Sequence, residues 1–501
     1  MLRLKHGSII GLIILFISSI PLCARTFYVA PPPTGSDNAG GSSAAPYATI
    51  QHAADNTGPG DTVSVRAGTY AGFVMGWDNP QNGTPSHPIV IKADSGAVIN
   101  DKNAKTADGI NLEGASYIVI DGFTIKNTKG AITRGGIRAV TDTGVIIRNN
   151  VVDSCGTWGI FTGFSQNILI ENNSTSRSVL QHGIYFSNSA DNPVIRGNKS
   201  FNNALCGIHM NGDVSQGGDG IISNALVENN IIWNNGSGGG SGINCDGVQN
   251  SRFQNNLLYG NHASGLSLYQ GDAAGPGKNN IVVNNTIIEA SDARWCINIQ
   301  NGSTGNVLMN NILYNDHSWH GSISIDSASL QGFASDYNVV MDRLSPDVDN
   351  TVLTLAQWQN ATGSDKHSLV ATPSQLFVNE SANDYHLKSG SPGVDAGTSQ
   401  NAPLYDLAGG RRPVNAKYDI GAYEFGSSAA VKQFRQNPTF SHFMLPNPIS
   451  HELLDRYLTE IKGLKIYDLA GRSMAKAAIR NNGIYLVQVG YQGVERITVI
   501  K

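Results

Sequence analysis

Charge is scarce in this chain. Only 14% of its 501 residues are Asp, Glu, Lys or Arg, and the formal net charge is −4. No basic stripe breaks that balance, so there is no electrostatic case for nucleic acid as a partner. Long apolar runs are also rare. The one near the start, residues 9–20, falls short of the ~18 residues that a spanning helix needs. Cysteine is limited to five residues, and none stands in a Cys/His spacing that suggests zinc. The middle of the chain lacks helical apolar spacing, and it lacks the Leu-x-x-Leu-x-Leu frame of leucine-rich repeats.

What the chain does have is glycine, 57 residues of it, and a phrase that keeps returning. The phrase is Gly-Ile-x-apolar. It reads Gly136-Ile137-Arg138-Ala139, Gly159-Ile160-Phe161-Thr162, Gly183-Ile184-Tyr185-Phe186, Gly207-Ile208-His209-Met210, Gly242-Ile243-Asn244-Cys245 and Gly265-Leu266-Ser267-Leu268. Degenerate copies follow at Cys296-Ile297-Asn298-Ile299 and Ser322-Ile323-Ser324-Ile325. Successive glycines are 23, 24, 24, 35 and 23 residues apart. Apolar strands ending in Asn-Asn alternate with the phrase, at Asn149-Asn150, Asn172-Asn173, Asn229-Asn230, Asn255-Asn256, Asn284-Asn285 and Asn310-Asn311. A fixed period in the low twenties built from short β-type runs is a solenoid signature. Asn suits the turns because it tolerates left-handed backbone, and stacked coils would align its amides into ladders.

These repeats resemble the right-handed parallel β-helix superfamily that includes pectate and alginate lyases and polygalacturonases. The resemblance covers roughly residues 27–425 and implies an all-β solenoid. Residues 25–88 read as an N-terminal cap with the first strands, 89–345 as the coils and 346–425 as a C-terminal cap. Asp384, His386 and Asp395, in that last part, are expected to be structural.

Residues 1–24 read as a secretory signal peptide, with Arg3 and Lys5 ahead of the apolar run. Cys23 lacks the small preceding residue that lipidation expects. Four cysteines remain after cleavage. They fall at different places within their coils, so Cys245 reads as a small core residue. Residues 426–443 form a linker. Residues 444–501 carry Pro446-Asn447-Pro448, Asp468-Leu469-Ala470-Gly471-Arg472 and Gly483-Ile484-Tyr485. They resemble the C-terminal sorting domain of the type IX secretion system, a small β-sandwich. That resemblance implies export through an outer membrane by this machinery, with the protein secreted or held at the cell surface; the protein is separately expected to be a monomer.

Strand alternation sorts each repeat. The Ile and the apolar residue point inward, so x and the residue two later point outward. Arg138, Tyr185, His209, Asn244 and Asn298 share one outward column, and Asn211, Asp246 and Tyr269 share the next. His209 and Asp246 are both expected to be exposed. The long repeat places an insertion, residues 212–219, directly after the His209 strand. A second, residues 270–278, leaves the same corner two coils on. These loops are expected to wall a cleft on either side of the Asp246 coil, and loops on a rigid scaffold are where binding and catalysis concentrate.

Asn244-Cys245-Asp246-Gly247 resembles the Asn-Thr-Asp-Gly step of polygalacturonases. Inverting hydrolysis needs an acid and a base flanking the bond, and one coil later this chain has Ser264-Gly265-Leu266-Ser267 with no acid. β-Elimination from a uronate needs a neutralising cation and a base. The base candidates are His209, His262, Lys278 and Arg294, with Asp246 beside them. Asp213 and Asp219, with Asp246 and Asp272, are candidate oxygen ligands for Ca²⁺. Tyr185, Asn211, Asn244, Tyr269, Asn298 and Arg138 are candidate sugar contacts. Trp295 reads equally as sugar platform or corner plug, and His182 and Trp158 as corner packing or binding. The expected function is a lyase of acidic glycans. A hydrolase or uronate epimerase on the same fold is the enzymatic alternative, and a non-catalytic glycan-binding adhesin the other.

Overall fold

A computed structural model describes residues 24–77 and 81–427, together with the backbone of five short C-terminal strands. The signal peptide and most of the linker read from the sequence lie outside the described residues. The chain winds into a parallel β-solenoid of three sheets, with 12, 12 and 11 strands. Each coil contributes one strand to each sheet, here called A, B and C in the order the chain meets them. The Gly-Ile-x-apolar phrase lies on sheet C.

Alternation sets the interior. Ile137, Ile160, Ile184, Ile208, Ile243 and Leu266 form one inward column, and none is more than 1% exposed. The register pairs them directly, with Ile184 beside Ile208 and Ile208 beside Ile243. Each such side chain removed from water is worth about 1.5–3 kcal/mol. The glycine ahead of each Ile has a steric cause. A Cβ on Gly207 would stand 2.4 Å from Ile232 Cγ2, and one on Gly136 would stand 2.2 Å from Val152 Cγ1. The chain therefore enters sheet C pressed against the inward residue of sheet B.

The Asn-Asn steps divide their labour. The first Asn takes positive φ, as at Asn149, Asn172, Asn229 and Asn255. The second turns inward and joins a buried ladder. Asn173 Nδ2 donates to Asn198 Oδ1 at 3.1 Å, and Asn198 to Asn230, Asn230 to Asn256 and Asn256 to Asn285 at 2.9–3.1 Å. Each buried amide is thereby satisfied by its neighbours, which burial requires.

The first coil is already complete in the strands Thr62–Val65, Gly68–Ala71 and Phe73–Gly76, earlier than residue 89. Ahead of it the helix Ile50–Asp55 buries Ile50, Ala53 and Ala54 over the core. At the far end the helix Leu355–Thr362 inserts Trp358 into the same core cluster. Residues 371–422 then cover the outer face of sheet B with a second apolar cluster that includes Leu376, Phe377, Leu387 and Ile420. Arg412 is locked there to Glu424 at 3.0 Å with both side chains fully buried. All four cysteines among the described residues are free and buried. The C-terminal strands Ile449–Ser450, Leu464–Tyr467, Ser473–Met474, Ile484–Val489 and Val494–Ile500 form one five-stranded sheet.

Candidate functional site on sheet C

The outer face of sheet C brings Tyr185, His209, Asn211, Asn244 and Tyr269 together on adjacent coils. Tyr185 pairs in register with His209, His209 with Asn244, and Asp246 with Tyr269. The Asn244 amide is the hub. Its Nδ2 donates to Nδ1 of His209 at 2.9 Å and to the hydroxyl oxygen of Tyr269 at 2.7 Å. Its Oδ1 accepts from Ser241 Oγ at 3.3 Å. Because the amide nitrogen can only donate, Nδ1 of His209 is an acceptor and the ring proton sits on Nε2. Tyr269 keeps its own proton to give. On the neighbouring coils Asn211 Nδ2 donates to the Tyr185 hydroxyl oxygen at 3.4 Å.

Aromatic contacts extend the site. The His209 ring packs at a tilt against Tyr185, with centroids 4.8 Å apart, and against His182 at 4.6 Å. His182 is buried, and its Nδ1 accepts the backbone N–H of Cys206 at 3.2 Å. Further along, Phe161 meets Tyr185 edge-on at 5.3 Å and Trp158 at 4.5 Å. Trp158 is held in turn by its indole N–H on Gln181 at 2.6 Å.

The expected exposure of His209 and Asp246 is corrected here. His209 is 9% exposed and Asp246 only 2%. They do point away from the solenoid core, but neighbouring rings cover His209 and a loop covers Asp246. Burial lowers the His209 pKa to about 4, so its ring is neutral near pH 7. The Asp246 carboxylate accepts backbone N–H groups from Gly271 at 2.7 Å, Asp272 at 2.6 Å and Ala273 at 3.4 Å. Burial raises its pKa against those hydrogen bonds. Asp246 is a loop anchor, which removes it as a free acid or base.

The two insertions do not stand on opposite sides of the Asp246 coil. Val214 N donates to Asp272 O, and Ala274 N to Gly220 O, both at 3.0 Å. They join into a single lobe at the corner between sheets C and A, and so form one wall. The other wall is the corner between sheets B and C.

The remaining candidates lie on the flanks. His262 has Nδ1 on Asp292 and Nε2 on Asn234 Oδ1, each at 2.9 Å, so both ring nitrogens are occupied. Trp295 is buried with its N–H on Asp349 at 2.8 Å. It is a corner plug, and Arg294 beside it projects from that corner into solvent. Lys278 lies where the lobe returns to sheet A, outside the outward columns. Asn298 stays on the face, two coils past Asn244, and its Oδ1 accepts from Gln300 at 2.8 Å. Arg138 lies three coils from His209, paired with Glu113. Asp213 accepts from the Ser215 N–H and hydroxyl, and Asp219 from the Ile221 N–H, so both carboxylates serve their own turns. Among the described residues no group of three or more His, Cys, Asp or Glu side chains could hold a metal ion.

Three contributors had no settled place on this face from the sequence, where His182 and Trp158 read equally as corner packing or binding and Asp272 as a candidate Ca²⁺ ligand. His182 and Trp158 share the position two before the inward Ile, a signal that marks a corner without telling packing from function. Asp272 sits in a loop with no periodicity, so nothing in the sequence could aim its side chain at Asn211 Nδ2, 3.5 Å away.

A family model described as a right-handed β-helix region matches residues 87–215. Among solved structures, pectate lyase Pel9A is 17% identical, with 80% of this chain and 96% of that chain covered and a TM-score of 0.52. An alginate lyase from Paenibacillus sp. str. FPU-7 is 20% identical over 57% of this chain and 94% of its own, with a TM-score of 0.42. The structure of XylC with xylose is 12% identical over 81% and 99%, with a TM-score of 0.48. No curated protein matches the chain. At these identities the likeness is one of fold.

Proposed function

We propose that this is a carbohydrate-active β-helix protein that binds polysaccharide along the outer face of sheet C and cleaves an acidic glycan by β-elimination. The observation that carries the reading is the Tyr185–His209–Asn244–Tyr269 chain, set beside a face with no free pair of carboxylates. Two-carboxylate hydrolysis needs an acid and a base on opposite sides of the bond. Here Asp246 is tied to three backbone N–H groups, Glu113 is paired with Arg138, and Asp326 accepts from Asn301 and Ser329 backbone. Asp272, exposed at the edge of the lobe, is the carboxylate left beside the network.

Elimination asks for less. The Nε2–H of neutral His209 and the amide of Asn211 donate to the uronate carboxylate and so acidify the adjacent carbon. Asp272 takes the proton from that carbon. The C–O bond at the next carbon breaks, and Tyr269 gives its phenolic proton to the departing oxygen. Burial keeps Tyr269 protonated by raising its pKa. A second reading, glycan binding without turnover, is favoured by the engagement of His209 Nδ1, which leaves the ring a donor.

The test is absorbance near 235 nm on a panel of acidic polysaccharides, with Ca²⁺ and with chelator. A rise reports unsaturated uronate ends. New reducing ends without a rise would move the reaction to hydrolysis, and binding with neither would leave recognition alone. Chelator tests the calcium expectation separately. Export by the type IX machinery, followed by release or surface attachment of a monomer, is the cellular part of the proposal. It rests on the motifs of residues 1–24 and 444–501, and mass spectrometry of both termini of the exported protein tests it.

A further inference from the structure

The face of sheet C is polarised along the solenoid axis. On the coils past His209 the outward columns carry Asn244, Ser267, Asn298 and Ser324, then Asp246, Tyr269, Gln300 and Asp326. No cation stands in either column there. On the coils before it the composition changes. The Arg134 guanidinium lies 6.0 Å from the Trp158 ring, and that of Arg138 lies 5.8 Å from Phe161. One end further on, Lys105 Nζ lies 5.6 Å from the exposed Trp77 ring.

Arg134 differs from Arg138, which is paired closely with Glu113. Arg134 forms a long ion pair with the buried Asp108, 3.8 Å away and beyond hydrogen-bond reach. Asp108 is already satisfied by Thr106 at 2.8 Å, Asn111 at 3.0 Å and the Gly135 N–H at 2.9 Å. The Arg134 side chain is 42% exposed. A planar fork of donors thus lies beside an indole held rigid by Gln181. Such a pair takes a sugar ring that carries a carboxylate: the indole meets the apolar face and the guanidinium the charge.

We infer that Arg134 and Trp158, with Arg138 beside them, form a distal subsite for one acidic sugar residue, and that the substrate is therefore a sparsely charged heteropolysaccharide. This rests on the glycan reading of sheet C proposed above. The Arg134 coil is three coils from the His209 coil, about 14 Å at the spacing of adjacent strands. A sugar residue is about as long as one coil step, so the acidic residue at Arg134 lies roughly three residues from the reacting one. The rings of Phe161 and Tyr185 lie between, and the cation beside them, Arg138, is already paired with Glu113. A homopolymer of uronates would lay unpaired carboxylates over those rings and, past the reacting residue, along coils that carry no cation and end beside Asp326. Partial desolvation and like charge both penalise that placement. Acidic residues separated by neutral ones fit the face.

The test compares three oligosaccharides of equal length with the full-length protein: all uronate, uronates separated by neutral residues, and the second compound with its carboxyls reduced. The separated compound is expected to bind tightest, by about tenfold, a difference of about 1.4 kcal/mol. Arg134→Gln should raise its KM by a similar factor and flatten the salt dependence of binding. The penalty should vanish on oligosaccharides too short to span the three coils. Arg134→Glu should weaken binding further. Because Arg134 also lies 3.8 Å from the buried Asp108, thermal unfolding is followed for each variant to check that it folds, and Arg134→Gln carries the decision. If the wild-type protein cleaves acidic glycans but binds the all-uronate compound as tightly, or if Arg134→Gln leaves KM unmoved, the distal subsite falls and the elimination reading stands. If no acidic glycan is bound or cleaved, both fall.

Discussion

Asn244 Nδ2 lies 2.9 Å from Nδ1 of His209, and this contact assigns the histidine its tautomer. The same amide holds Tyr269 at 2.7 Å, so one side chain sets the proton positions on two coils at once. Asn244→Ala should therefore release both groups. The expected loss is ten- to a hundredfold in kcat/KM, with stability lowered by only about 1 kcal/mol for the lost hydrogen bonds. Steady-state kinetics beside urea unfolding separates the two effects.

Asp246→Ala should behave as a structural change. It strands the backbone N–H groups of Gly271, Asp272 and Ala273, and only Ala273 is buried, where an unsatisfied donor costs about 1–3 kcal/mol. Faster hydrogen exchange confined to residues 270–277 is the expected signature. An Asp246→Ala protein with an unaltered lobe would show that the anchor is dispensable.

Acid should act through His209. Burial holds its pKa at about 4, below the ordinary value of 6.5. Relative to the unfolded chain, which takes up the proton first, its contribution to stability is complete above the unfolded value. It is lost as pH falls from there through about 4. Protonation of Nδ1 also breaks the bond from Asn244, so the unfolding temperature should fall as pH drops towards 4, and His209→Gln should remove that fall.

Glu289 should act in the opposite direction. It is 1% exposed, and burial pushes its carboxyl well above the ordinary value of 4.5. The folded protein then holds a proton that the unfolded chain releases. Stability is greatest below the unfolded pKa and falls by about 1.4 kcal/mol per pH unit above it until the buried carboxyl ionises. Glu289→Gln should be more stable than the parent near pH 7, by a margin that grows with pH. Unfolding of both proteins at several pH values checks the slope.

Ile208→Asp should prevent folding of the central coils, because Ile208 is fully buried and an unpaired charge there is costly. A soluble, cooperatively unfolding variant would contradict the inward column.

The coil register was legible from the sequence because its causes are local. Alternation sends Ile208 inward and His209 outward whatever the rest of the chain does. The glycine before each Ile and the paired asparagines recur because every coil meets the same corner. From this alone the solenoid, its inward columns and the shared face of Tyr185, His209, Asn244 and Tyr269 followed. Burial on that face was another matter. Whether Asp246 met solvent or three backbone N–H groups depended on the path of an aperiodic loop. That path, in turn, depended on the 212–221 segment pairing with it across a coil. The role of Arg134 was equally hidden, since it is set by a Trp one coil away and by how Thr106 and Asn111 already satisfy Asp108. Repeats specify where a backbone goes, and only the folded corners decide which side chains remain free to act.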